Sequence, residues 1–409
     1  MSSWCREWSG HLAALVTLAL GGSAQAAEVY FTPQADIGIE MDSNRNMVTS
    51  GDTVDNKASS EGNTADVSGT LGIATPRSDS TIRPEIRYAE YPNLDTNDLR
   101  TILDLNSQFR SERGQFNVEG EFDRESTYGS ELANAQFNPV NPDLPTTPET
   151  GRISSDTVRT LITAVPSYTL DLTQRLNWSV SGTVQSVDFT GTDAKAYIPY
   201  DYALGGTSLT WAFNPLLGVT LGVFTSRELA KDDSGSVDAN GVSLAFAYKW
   251  STQFTSRLEL TGERDNSEIV NPVDIRSTST GAGATYTTAW QGQLSKLQLS
   301  VGRTFTPSGA GGTFRDDQLQ AQFSRDLTQR LSFTAAGRFI NATSVSGIYA
   351  ADNYNYVNAT AGLKWMLTRT WHVGGGVEYY HEHFVPPVGS ANNAMVYASV
   401  GYQGLGKPY

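Results

Sequence analysis

The sequence predicts an all-β fold: a transmembrane, antiparallel, up-and-down β-barrel of about 18 strands, with strand edges loose enough to leave 16 open. Three observations predict it. Apolar and polar residues alternate along most of the chain after residue 27, and a period of two is the signature of a strand with one buried and one wet face. The hexapeptide Asp171-Leu172-Thr173-Gln174-Arg175-Leu176 returns as Asp326-Leu327-Thr328-Gln329-Arg330-Leu331, and each copy runs straight into an alternating segment. Looser relatives stand at Trp250-Ser251-Thr252-Gln253-Phe254, Trp290-Gln291-Gly292-Gln293-Leu294 and Leu367-Thr368-Arg369-Thr370-Trp371, which marks the motif as one form of a general short turn.

Residues 1–26 read as a signal peptide. Arg6 precedes the apolar run Leu12 to Leu20, followed by Gly21-Gly22-Ser23 and the small-x-small site Ala24-Gln25-Ala26. That run is too short to cross a bilayer as a helix, which takes roughly 20 apolar residues. Residues 27–409 are then expected to form one outer-membrane barrel domain. The single cysteine, Cys5, falls in the leader, so a mature chain would have no disulfide, Cys-based metal site or Cys nucleophile.

In chain order, the first strand runs from Val29 to Asp42, with Ala35, Ile37, Ile39 and Met41 on one face and Asp36, Gly38 and Glu40 on the other. A polar stretch to about Asn63 leads to Val67, Gly69, Leu71 and Ile73, then to a turn at Pro76-Arg77-Ser78-Asp79. Ile82, Ile86 and Tyr88 alternate with Arg83, Glu85 and Arg87. The clearest alternation sets Leu99, Thr101, Leu103, Leu105 and Phe109 against Arg100, Asp104, Asn106, Gln108 and Arg110, with Ile102 as its exception. Phe116, Val118, Gly120 and Phe122 then alternate with Asn117, Glu119, Glu121 and Asp123. The region from about 125 to 156 breaks the rhythm with Pro139, Pro142, Pro145 and Pro148, and reads as a long extracellular loop. Strands resume near 157–171, 176–189, 200–213, 217–228, 238–250, 253–264, 276–290, 294–306, 315–327, 331–342, 354–367, 371–383 and 393–404.

The tryptophans test this topology. Apart from Trp4 and Trp8 in the leader, all of them (Trp178, Trp211, Trp250, Trp290, Trp365 and Trp371) lie near a proposed short turn and in the apolar phase of their strands. That is the placement of an aromatic girdle at one membrane interface, here the periplasmic one. In hydrocarbon an unpaired backbone N–H or C=O costs several kcal/mol, so strands cross only as a ring without edges. The apolar faces then meet outer-membrane lipid, and at ~16–18 strands the ring is wide enough to hold water.

A formal charge of −14 argues against nucleic-acid binding, which wants a basic stripe. The inward phase carries Arg83, Glu85, Arg87, Arg100, Asp104, Arg110, Glu119, Glu121 and Asp123 in the first third, then Arg257, Glu259 and Glu263, and late in the chain Glu378. Arginines facing carboxylates could set a transverse field that chooses among solutes. Cross-strand pairing of inward charges, at little net value each, is the bland alternative. Other inward positions are small and neutral, among them Ser179, Ser181, Thr183, Gly218, Thr220, Gly222, Ser243, Ala245, Ala247, Gly281, Gly283 and Thr285. Such a wall leaves room for a polar solute, including a carbohydrate chain.

The opening strand Pro33-Gln34-Ala35-Asp36-Ile37-Gly38-Ile39-Glu40-Met41-Asp42-Ser43-Asn44 and the repeated strand-Leu-Thr-x-Arg-strand hairpins resemble the β-barrel porin-2-like family of Gram-negative outer-membrane proteins. Met41 stands where that family more often has an aromatic residue. The resemblance implies a passive conduit for exopolysaccharide export, working with a periplasmic polysaccharide-export protein. A general diffusion porin for small hydrophilic solutes is the alternative, and a structural or adhesive barrel a further one.

No cofactor is expected. Tyr380-His381-Glu382-His383 invites a metal, but His381 and His383 share a face from which Glu382 points away, and no third ligand is evident. Asp42-Ser43-Asn44-Arg45-Asn46 lacks the Gly and the terminal Glu of a calcium loop. An outer-membrane hydrolase would need a base beside its nucleophile. His372 belongs to the lumen phase at one end of the barrel and the other two histidines to the opposite end, so no catalytic group assembles. The loop at 125–156, with Tyr128 and Phe137, is the segment long enough to fold back and narrow the lumen.

Overall fold

The computed structural model describes residues 27–49, 59–131, 157–191, 194–269, 275–308, 312–345, 353–384 and 389–405. The leader, most of the loop at 125–156 with Phe137, and the short segments between these ranges lie outside them. In order, β1 is Glu28–Asp42, β2 Ser60–Ala74, β3 Ser78–Tyr91, β4 Thr96–Arg110, β5 Gly114–Ser126, β6 Thr157–Asp171, β7 Leu176–Gly191, β8 Tyr200–Ala212 and β9 Leu217–Ala230. The circuit continues with β10 Gly235–Lys249, β11 Phe254–Ile269, β12 Ile275–Gln291, β13 Ser295–Ser308, β14 Gly312–Asp326, β15 Leu331–Ser344, β16 Tyr354–Met366, β17 Trp371–Phe384 and β18 Ser390–Gln403. One short helix, α1 (Thr127–Glu131), follows β5.

Each strand pairs antiparallel with its sequence neighbours, and β1 pairs with β18 from Gln34↔Gln403 to Asp42↔Met395, closing an 18-stranded ring. Closure removes both sheet edges, the condition for a sheet to sit in lipid. The outside is apolar: Val29, Ile37, Val67 and Leu221 are each 60% exposed or more, and Leu258, Leu297, Phe339, Val377 and Val400 continue the belt around the ring. In water this would be a large exposed apolar patch; in a bilayer it is the burial that holds the fold.

The short turns share one chemistry. Thr173 Oγ1 accepts from the backbone N–H groups of Arg175 (3.2 Å) and Leu176 (3.1 Å), and Thr328 Oγ1 repeats this with Arg330 (3.2 Å) and Leu331 (3.0 Å). Thr368, Ser251 and Asn214 play the same part, with Trp371, Phe254 and Leu217 as the second donor in each case. A short oxygen-bearing side chain replaces the missing backbone acceptor, which is why these residue types recur there. The repeated hexapeptide is therefore a turn between neighbouring strands.

The strands reach farther than alternation indicates. β2 begins at Ser60, before the expected end of the polar stretch near Asn63; β3 takes in Ser78 and Asp79, and β10 begins at Gly235. β5 extends to Ser126 and α1 follows at once, so the expected loop at 125–156 opens with ordered structure through Glu131.

Candidate functional site: the barrel lumen

The inward phase of β3 to β5 places the expected charges on one wall. Arg83 donates to Glu85 at 2.7 Å and lies directly across from Asp104 on β4; Arg87 donates to Glu40 of β1 at 2.8 Å. Arg100 meets Asp123 at 3.3 Å and Glu125 at 3.0 Å, and Arg159 on β6 reaches the same two carboxylates at 3.7 and 3.3 Å. Asp104 faces Glu121 across the β4–β5 ladder, and Asn106 faces Glu119. Arg110 belongs to the rim at the short-turn end, where its exposed guanidinium donates to Gln108 at 2.8 Å. On the far side Arg257 donates to Glu259 at 2.8 Å, whereas Glu378 on β17, two strands from β1, accepts from Tyr380.

The structure adds residues that strand periodicity could not supply. Arg45, in the connection after β1, is 7% exposed and lies within 3.6 Å of Glu40 and of Asp42 and 3.3 Å of Asp98. Its guanidinium carbon sits 3.5 Å from the Tyr91 ring centroid and 4.0 Å from that of Tyr128, a cation held between two aromatic rings. Tyr128 belongs to α1, and its hydroxyl donates to Asp42 at 3.2 Å. Burial, reinforced by the Asp42 carboxylate, pushes the Tyr128 phenol well above its ordinary range, so it stays a donor. Asp42 also accepts from Asn393 of β18 at 2.8 Å, which ties α1 to the seam where the barrel closes.

Beyond that seam Phe314, Ile340, Tyr354, Tyr356, Tyr380 and Phe384 of β14 to β17 form one buried cluster with Met47 of the connection after β1, and Tyr128 packs against it. Asp316, Arg338, Asn358 and Glu382 are buried on the same strands. A cavity of 510 Å³ runs along β7 to β15, and Ser181, Thr220, Gly222, Ser243 and Thr285 of the expected small, neutral set line it. Glu259, Glu263 and Arg257 line it too, joined by Glu228, Asp265 and Arg338.

The six tryptophans expected as a girdle lie near the short turns on the arc from β7 to β17. Trp211, Trp250, Trp290, Trp365 and Trp371 are exposed, Trp178 donates through Nε1 to Thr207 at 2.8 Å, and Trp250 to Ser256 at 2.8 Å. His381 and His383 face outward at the other end, with His381 Nδ1 2.6 Å from Asn392 Oδ1, whereas Glu382 is buried inside. His372 faces the lumen with Nε2 2.8 Å from Asp36.

No protein-family model matches this chain, and no curated protein matches it. Among solved structures it is similar to OccK2 (OpdF) of Pseudomonas aeruginosa in complex with glucuronate, at 10% identity over 92% of this chain and 99% of that one, with a TM-score of 0.46. It is also similar to OpdK of Pseudomonas aeruginosa with vanillate (9% identity, 91% and 98% covered, TM-score 0.44). The outer membrane channel DcaP of Acinetobacter baumannii is a further neighbour (11% identity, 93% and 98% covered, TM-score 0.44). At this level the likeness concerns barrel architecture and says nothing about solute. The kinship drawn from the opening strand rests on the sequence alone.

Proposed function

We propose that the chain is a passive porin of the Gram-negative outer membrane, conducting small hydrophilic solutes along the cavity between β7 and β15. Residues 1–26 deliver it to the periplasm, the short turns face the periplasm, and the long connections, including the loop at 125–156, face outward. The observation that carries this reading is the closed ring with an apolar exterior and a polar, hydroxyl-rich cavity of 510 Å³ inside. Hydroxyls and charged groups along that cavity can replace a solute's hydration shell.

Exopolysaccharide export with a periplasmic partner, the route the family resemblance implies, gains no supporting observation from the lumen. Refolded protein in planar bilayers should open discrete channels, and in a KCl gradient the acidic wall should favour potassium over chloride. A bilayer that stays silent would reject the porin reading. Loss of surface polysaccharide on deleting the gene, with small-solute uptake intact, would restore the export reading.

A further inference from the structure

Resting on that reading, one stretch of the cavity wall is built for a particular solute class. Glu263 on β11 lies across from Gly241 on β10 and from Gly281 on β12, so no side chain stands beside it on either neighbouring strand. Both vacant positions are covered by phenyl rings from the next strands out. A Cβ at Gly241 would collide with the Phe224 ring of β9, and one at Gly281 with the Phe305 ring of β13. Both rings and the carboxylates of Glu263 and Asp265, two residues apart on one face of β11, line the same cavity.

The two carboxylates have capacity to spare. Among the described residues Glu263 Oε1 and Asp265 Oδ1 are buried without a hydrogen-bond partner, Asp265 is 3% exposed, and its second oxygen accepts a long bond, 3.4 Å, from Ser279. Among the described residues no lysine or arginine lies within ion-pair distance of either. The guanidiniums lining the cavity are engaged elsewhere: Arg257 with Glu259 at 2.8 Å, Arg303 with both oxygens of Asp317 at 2.6 and 2.9 Å, and Arg338 with Gln318 at 3.4 Å.

We propose that Glu263, Asp265 and the Phe224 and Phe305 rings form a luminal binding site for an organic ammonium ion. Carboxylates supply the charge and the N–H acceptors, and aromatic faces supply the cation–π surface for the alkyl-bearing nitrogen. A bare metal ion fits less well: a hard cation wants six or more oxygens, and among the described residues no group of three His, Cys, Asp or Glu side chains is placed to hold one. An ammonium ion instead brings its own apolar surface to the rings.

The test is calorimetric titration of the refolded, detergent-solubilised barrel with tetramethylammonium chloride, using sodium chloride as the blank. Wild type should bind. Glu263→Gln and Phe224→Leu should each weaken binding roughly tenfold, and Glu112→Gln at a short turn should not change it. Folding of each variant is checked by its resistance to unfolding in SDS at room temperature; if Glu263→Gln fails that check, Phe224→Leu and Asp265→Asn decide. Absence of binding by wild type, or equal binding by all folded variants, overturns the site. Channels that conduct KCl but show no tetramethylammonium-dependent interruption would sink the site while leaving the porin intact. Binding without any conductance would sink the porin and leave the site.

Discussion

Arg45→Ala should open the lumen. The Arg45 guanidinium lies between the Tyr91 and Tyr128 rings and within 3.6 Å of Glu40, Asp42 and Asp98. Glu40 keeps Arg87 at 2.8 Å, but Asp42 and Asp98 lose their one cation among the ion pairs of the described residues. Removing one partner of a buried ion pair costs about 3–5 kcal/mol, and the ring contacts do not add in full because the same guanidinium makes them. The cheapest relief is local. Unzipping β1 would break a closed ladder, whereas α1 is held to the seam by the Tyr128 hydroxyl bonds to Asp42 (3.2 Å) and Asn393 (3.4 Å), worth about 1 kcal/mol each. With the cation gone from between the Tyr91 and Tyr128 rings, the contact of α1 with the inner wall is the part that loosens first, and the helix should move from it. Single-channel conductance should rise, protease should cut near 127–131, and the barrel should still fold. Arg45→Lys, which keeps the charge but not the planar fork, should fall between. Unchanged conductance and an unchanged cleavage pattern in Arg45→Ala would refute the reasoning.

Leu221→Arg, on the lipid face, should destabilise the barrel by about 2–4 kcal/mol in urea titrations from vesicles, whereas Thr220→Arg, one residue away but inside, should fold normally and lower conductance. Equal stability of the two would mean that the faces are assigned wrongly. Thr328→Ala removes the acceptor for the N–H groups of Arg330 and Leu331 and should cost about 1 kcal/mol, while Thr328→Ser should cost little by the same titration. Deleting residues 132–150, which continue from α1, should raise single-channel conductance if that loop narrows the lumen; a conductance equal to wild type would reject a constricting loop.

The membrane-spanning part of the fold was legible because lipid enforces the pattern. Where a strand lies in hydrocarbon, its outward residues must be apolar, so Ile82, Ile86 and Tyr88 against Arg83, Glu85 and Arg87 can be read as letters alone. Above the hydrocarbon the wall continues as hydrogen-bonded strand, but both faces can be polar. Glu61 and Asn63 face outward on β2 with Ser60, Gly62 and Thr64 inward, so alternation gives no signal and the strand was expected to start too late. Arg45 and α1 lie outside any period, and their roles come from contacts with residues far away in sequence, such as Asp98 and Asn393. The presence of Arg45 in a stretch weighed only as a calcium loop shows how a cation without a phase escapes a periodic reading. The aromatic rings over Gly241 and Gly281 escape for a different reason: each is an event of register, and one residue of slip would move Glu263 away from both glycines.

The two walls of the lumen divide the work between shape and selection. On the wall of β1 to β6 the guanidiniums of Arg45, Arg83, Arg87, Arg100 and Arg159 each sit within 4.0 Å of a carboxylate, and Glu40, Asp123 and Glu125 are nearly fully buried. Those guanidiniums are held by carboxylates, and Arg45, against the Tyr128 ring, holds α1 to the wall. Across the lumen Glu263 and Asp265 have no such partners, and their field reaches into the open path. A solute in the cavity therefore meets guanidiniums of Arg257, Arg303 and Arg338 that are already engaged, beside Glu263 and Asp265, which are not. The long run of inward charges in the first third, the most conspicuous feature of the sequence, is for this reason the less selective wall. The wall of serine, threonine and glycine, where Glu263 and Asp265 stand beside the Phe224 and Phe305 rings, is where discrimination between solutes should be sought.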